Sequence, residues 1–217
     1  MAGTITALEV QKRNKERVNV YIDDEFAFGL NLMDAASLYK GQALSEAQIK
    51  ALKSKDAVTQ ALDKAVRFLA ARPRSIAEIR RRLAQKDIEE PVVEEVIDHL
   101  TTLNYVDDLE FARFWVRNRE DFNPRGPMAL RYELRQKGLA DSIIEEALAE
   151  LDPDESAYRA ARKKLRSLRG KDPEEQRQKL GAFLNRRGFP YEVARTVIDR
   201  IVAEQEAGEV DDFSGDK

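Results

Sequence analysis

Residues 132–151 read YELRQKGLADSIIEEALAEL. Leu134 is followed by cations at 135 and 137 and by Gly138, then by apolar residues at Ile143, Ala147, Leu148 and Leu151. The first part has the marks of a helix end, with late positive charge and a residue free to take positive φ. The second part is spaced as one apolar face of a helix. The same pattern occurs twice more, in RRLAQKDIEEPVVEEVIDHL ending at Leu100 and AFLNRRGFPYEVARTVIDRI ending at Ile201. Aligned on Leu83, Leu134 and Leu184, the copies stand 51 and 50 residues apart. Four residues before each leucine are Ile79, Leu130 and Leu180.

Working outward, each copy gains a preceding helix. Val66, Phe68 and Leu69 mark the first, Phe111, Phe114, Trp115 and Val116 the second, and Tyr158, Ala161, Leu165 and Leu168 the third. Each unit is thus a three-helix bundle of about 50 residues, small enough to need support from its neighbours. The expected fold is mainly α, with tandem helix-turn-helix-like repeats in an elongated array. Helix starts are signalled by Ser75 with Glu78, by Asp107 with Glu110, and by Asp152-Pro153 and Asp172-Pro173. Residues 123–127, NPRGP, form a breaker-rich loop.

The first 44 residues differ. Ile5, Leu8 and Val10, then Val18, Val20 and Ile22, then Phe26, Phe28 and Leu30 alternate with polar residues. That period predicts a three-stranded antiparallel meander. A short helix over Asp34–Tyr39, stopped by Gly41, is expected next, and a capping box at Ser45–Gln48 opens a helix running toward Pro73. The expected divisions are 1–44 for the β-rich segment, 45–106 for a linking helix and repeat one, 107–152 for repeat two, 153–207 for repeat three and 208–217 for an acidic disordered tail.

The chain has 217 residues, a formal charge of −3, no cysteine and one histidine. Disulfide and thiolate chemistry are therefore excluded, in keeping with a cytoplasmic location. No stretch reaches the roughly 20 apolar residues of a membrane span, and no signal peptide is expected. Charge is uneven: 13 Lys/Arg against 9 Asp/Glu in 153–207, but 7 against 11 in 107–152.

Candidate chemistry is sparse. His99 sits near a helix end and reads as structural or surface. Asp107, Asp108 and Glu110 read as capping residues rather than metal ligands. There is no phosphate-binding glycine motif, so nucleotide binding has no support; with so few candidate groups, no catalytic, cofactor or metal site is expected. The third helices of repeats one and two are acidic and suit a DNA groove poorly; only repeat three, with Arg195 and Arg200, is tolerable there. The second helices carry basic stripes: Arg80, Arg81 and Arg82; Arg131, Arg135 and Lys137; Lys179, Arg186 and Arg187. Repeat three adds Arg159, Arg162, Lys163, Lys164, Arg166, Arg169 and Lys171. Each cation alone reads as a solvated helix face. Their recurrence at corresponding places makes them candidates for an acidic or phosphate-rich partner.

NYVDDLEFARFWVRNR followed by RGPMALRYELRQKGL resembles the RecX family of recombinase regulators. The residues that carry the resemblance are Tyr105, Val106, Asp107, Asp108, Phe111, Ala112, Trp115, Gly126, Pro127, Glu133, Leu134, Arg135, Lys137 and Gly138. RSIAEIRRRLAQKD in repeat one is similar to another family pattern, with Asp87 where glycine is usual. The N-terminal segment resembles the β-rich extension of longer members, with Asp24 at a turn position where glycine is common. The resemblance implies a non-enzymatic protein that binds RecA along the groove of its single-stranded DNA filament, restrains ATP hydrolysis and strand exchange or promotes filament disassembly, and acts in DNA repair, recombination and the SOS response; a monomer is expected. Weak direct DNA binding is a further expectation. The alternative is a stand-alone helix-turn-helix-like nucleic-acid-binding protein.

Overall fold

The computed structural model describes residues 3–207; the acidic segment 208–217 lies outside them. The described chain is mainly helical, with a small antiparallel sheet at its start. It falls into two units. One comprises the chain up to Arg74 together with Glu78–Val106; the other comprises Ser75–Ala77 and the chain from Asp107 onward.

In the first unit, β1 (Gly3–Val10), β2 (Arg17–Ile22) and β3 (Glu25–Asn31) form the expected meander. Asp23 and Asp24 join β2 to β3 with φ of 48° and 64°. Two consecutive left-handed residues match the twist of a tight hairpin, and aspartate tolerates that backbone. The sheet has four strands rather than three. β4 (Ala43–Leu44) pairs antiparallel with β1, giving the order β3-β2-β1-β4.

The helix before β4 is also shorter and earlier than expected. α1 spans Leu32–Ala35, because the Asn31 side chain accepts from Met33 N at 2.9 Å and opens the helix there. Gly41 then takes φ 90° and donates its N–H to Ile5 O at 2.8 Å, which turns the chain onto the edge of β1. Ile5, Val20, Leu30 and Leu44 fill the sheet's core, closed by Ile49 and Leu52 of the next helix. Phe26 is exposed, unlike Phe28 two residues on. The β2–β3 register shifts between Val20 and Tyr21, and Phe26 sits edge-on to Tyr21 at 6.0 Å.

α2 (Glu46–Leu69) runs 24 residues from the Ser45 capping box. Its first half packs on β3 and its second half is the first helix of repeat one. α3 (Ile76–Ala84) and α4 (Glu90–Thr102) complete that repeat, burying Ala61, Ala65, Ile79, Leu83, Val96 and Leu100. Buried Asp56 ties α2 to the sheet. It takes both Arg17 Nη atoms at 3.0 and 2.8 Å, Asn31 N at 3.1 Å and Gln60 Nε2 at 2.7 Å. A buried carboxylate is stable only when its lone pairs are filled in this way.

The second unit holds two helix triplets. α5 (Asp108–Phe122), α6 (Pro127–Gln136) and α7 (Asp141–Leu148) form repeat two. α8 (Pro153–Leu165), a 3-10 turn at Arg166–Leu168, α9 (Pro173–Arg186) and α10 (Tyr191–Glu206) form repeat three. Asp107, Asp152 and Asp172 each accept from two backbone N–H groups of the helix they cap. Each repeat buries the aligned leucine and the apolar face of its third helix.

The repeats of this unit meet through backbone. Gly126 N donates to Arg187 O at 2.9 Å and Met128 N to Gly188 O at 3.3 Å. A Cβ on Gly188 would lie 2.4 Å from Ala129 N, and one on Gly126 would lie 2.2 Å from Gly188 O. The Ser75–Ala77 segment reproduces this joint. Ser75 occupies the place aligned with Gly126 and donates Oγ to Lys137 O at 2.6 Å. A Cβ on Gly138 would lie 2.4 Å from Ala77 Cβ.

Candidate partner-binding surface

In repeats one and two the second and third helices are bridged by the same ion pair. Arg80 of α3 holds Glu94 of α4 through Nε–Oε1 at 2.7 Å and Nη2–Oε2 at 2.6 Å. Arg131 of α6 holds Glu145 of α7 through the same atoms at 2.6 and 2.8 Å. Two parallel N–H···O bonds from one guanidinium fix both charge and orientation. Glu94 and Glu145 are held below the usual glutamate range, chiefly by these hydrogen bonds. Repeat two adds Arg135 Nε to Asp141 Oδ1 at 2.7 Å, which lowers the Asp141 pKa in the same way. The acidic third helices are thus the counter-charge of the basic second helices.

This divides the candidate cations. Arg80, Arg131 and Arg135 lie in bridges within their own repeats. Arg159 is paired with Glu120. Arg187 is half-buried over Phe183 and donates Nη1 to Pro124 O at 2.8 Å; burial, then neighbouring Arg125, lowers its pKa. Lys137 lies 4.7 Å from the Trp115 ring centre and Arg119 4.6 Å from it. Arg162 meets Tyr158 Oη at 3.3 Å, and Lys164 lies 6.0 Å over Phe183. Arg81, Lys163, Arg166, Arg169 and Arg186 are exposed and make no ion pair with any described residue.

Three of those five belong to one stretch, at the end of α8 and through the turn after it. Buried Ala157, Ala161, Leu165 and Leu168 anchor that segment from below. Lys163, Arg166 and Arg169 therefore project from a fixed base at three-residue intervals. Late cations also suit the negative end of α8.

Arg82 joins a second basic surface, in repeat one. A cavity of about 400 Å³ is lined by Lys64, Arg67, Phe68, Arg82 and Lys86, with Leu83 and Ala71. Arg74 and Arg82 lie 4.0 and 5.7 Å from the Phe68 ring centre. The sequence marks Arg82 but not the groove, whose Lys64, Arg67 and Phe68 come from the preceding helix.

Other singled-out residues have structural places. Trp115 is half-buried and packs against the repeat-two core, with Nε1 donating to Glu133 at 2.7 Å. Glu133 also takes Arg119 Nε at 2.8 Å and Arg125 at 3.0 Å. His99 is exposed in the last turn of α4. Asp108 Oδ1 accepts from Ile76 N at 2.9 Å. The bridges were missed in the sequence, though a signal exists: an Arg and a Glu 14 residues apart, present in repeats one and two and absent from repeat three.

Comparison with known proteins covers nearly the whole described chain. Residues 3–45 match the family described as the regulatory protein RecX N-terminal domain. Residues 61–100, 107–148 and 152–198 match the first, second and third three-helix domains of RecX. The regulatory protein RecX of Bacillus pumilus is 35% identical over 94% of this chain and 78% of its own length. That of Clostridium botulinum is 33% identical over 91% of this chain and 96% of its own. A crystal structure of regulatory protein RecX superimposes with a TM-score of 0.72 at 30% identity, covering 91% of this chain and 99% of that one. The structure of RecX from Lactobacillus salivarius shares the fold, with a TM-score of 0.62 at 24% identity over 69% of this chain. Among the described residues no helix is long and apolar enough to cross a membrane.

Proposed function

The chain belongs to the RecX family of regulatory proteins, and from that premise we propose that it regulates the RecA recombinase. It binds RecA on its filament with single-stranded DNA, along the filament groove, and restrains ATP hydrolysis and strand exchange in repair and recombination. It acts in the cytoplasm, as a monomer and without chemistry of its own. The observation that carries this reading is the succession of four RecX family matches along one chain.

The surface adds physical support. Tandem repeats offer several contact sites on one chain, and weak contacts so linked combine through effective concentration. The bridges neutralise Arg80, Arg131 and Arg135 internally, which leaves Lys163, Arg166 and Arg169 as the densest group of unpaired candidates. We assign the main electrostatic contact with the filament to these three, supported by Arg81, Arg82 and Arg186. Rim charges of this kind set association rate and register more than final affinity.

The test is single-strand-dependent ATP hydrolysis by the cognate RecA, with this protein added well below one per RecA protomer. A steep fall is expected. The K163E/R166E/R169E variant should lose most of that inhibition while its helical circular dichroism and melting curve stay close to wild type. Unchanged hydrolysis with folded wild-type protein overturns the reading. Undiminished inhibition by the variant overturns only the residue assignment.

A further inference from the structure

Repeat three lacks the bridge of repeats one and two at the aligned positions; its second and third helices pair instead through Arg177 and Asp199. The positions aligned with Arg80 and Arg131 hold Gly181, and those aligned with Glu94 and Glu145 hold Arg195. The second bridge of repeat two, Arg135 to Asp141, aligns with Asn185 and Tyr191. All four of these residues line one groove of about 650 Å³ between α9 and α10. Its floor is apolar, built from Gly181, Ala182, Ala194 and Ile198 with Phe189 at one end. Tyr191 and Met128 stand at its rim, 75% and 62% exposed. Arg195 is exposed and makes no ion pair with any described residue.

In the other repeats this space is filled by a guanidinium mated to a carboxylate above an apolar seam. At the aligned place repeat three keeps a guanidinium, Arg195, moved to the opposite helix, but has neither a carboxylate facing it nor bulk at position 181. The geometry points to a docking groove for an acidic, apolar-faced segment of the protein partner. That segment lays an apolar side chain over Gly181 and sets a carboxylate on Arg195, completing the bridge between molecules. The apolar floor gives a nucleic-acid backbone nothing to bury against. Glu174 on the groove lining repels phosphate, while Asp199 there is already paired with Arg177. A carboxylate beside an aliphatic or aromatic group satisfies both features at once. The inference rests on the reading above for the partner's identity, RecA on its filament.

The bridge can be rebuilt to test this. A Cβ on Gly181 would meet Ile198 Cδ1 at 3.7 Å, an ordinary contact, so a side chain fits there. The G181R/R195E variant recreates the Arg–Glu pair of repeats one and two and closes the groove. A second closure, N185R/Y191D, recreates the other bridge from exposed positions and serves if the first variant folds poorly. Binding is measured by co-sedimentation with RecA filaments on single-stranded DNA, beside a thermal melt of each variant. Wild-type protein should bind, R195K should bind nearly as well, and each closed variant should bind at least about tenfold more weakly with an undiminished melting temperature.

Binding by the closed variants within about twofold of wild type overturns the groove while leaving the regulator reading intact. Absence of wild-type binding overturns that reading and the occupant's identity with it. A parallel loss of binding to naked single-stranded DNA, or of concentration-dependent self-association, overturns the assignment to RecA in favour of nucleic acid or of a second copy of this chain.

Discussion

Asp87 and Gly188 end the second helices of the first and last repeats, and the backbone asks the same of both: φ is 56° at one and 80° at the other. Only one of them has room for a side chain. Asp87 is exposed, so its carboxylate points to solvent and the residue bears just the modest left-handed penalty of an aspartate. Gly188 presses on the backbone at Ala129, and Gly138 on Ala77. A positive φ alone therefore does not demand glycine; a positive φ at a joint does. Repeats two and three hold glycine at this place, and repeat one departs from it where no close approach enforces it.

Substitution at the joint should separate the two demands. G188A should cost most, about 3 kcal/mol, since left-handed strain adds to a clash with backbone that cannot move aside. Chemical denaturation with the usual linear extrapolation measures it. G138A should cost less, about 2 kcal/mol, because its obstacle is the Ala77 methyl. A77G should then recover part of the loss in the G138A background but none in the G188A background. Equal recovery in both would break the joint model. D87G should change stability by only about 0.5 kcal/mol, in the stabilising direction, because relief of strain is offset by a more flexible unfolded chain.

The smallest effect concerns pH. Glu94, Asp141 and Glu145 have folded pKa values below their ordinary ones, held there by hydrogen bonds from arginine. The folded state therefore binds fewer protons than the unfolded one in that range. The stability they contribute is present above the ordinary carboxylate values of 3.8 and 4.5 and is lost as pH falls through the folded values. These groups are largely exposed, so salt and solvent keep the effect small. Denaturation midpoints at pH 7 and pH 3 should converge slightly in E94Q/E145Q relative to wild type. An unchanged difference would mean that the bridges contribute nothing to folding.

Local chemistry made much of the fold legible. Ser45, Asp107, Asp152 and Asp172 are caps because a short oxygen-bearing side chain beside a helix start has few other uses. The three apolar faces followed from period alone. β4 was not legible, since two residues carry no period and depend on Gly41 reaching Ile5. Buried Asp56 was hidden because its partners, Arg17 and Asn31, are 39 and 25 residues away. The candidate surface was legible as composition but not as pairing. Arg80 and Lys163 look alike in a sequence, and only the packing of α3 on α4 shows that Glu94 has already claimed one of them.

α2 carries a further consequence. The N-terminal family match stops at residue 45 and the first three-helix match begins at 61, so the first fifteen residues of this helix belong to neither. Yet the helix is continuous over about 36 Å, and Asp56, inside the unmatched stretch, is its tether to the sheet. A torque applied to the sheet passes through an unbroken shaft into repeat one, with no loop to absorb it. Two modules that separate family models describe are mechanically geared, and the gear is the segment that neither of them covers.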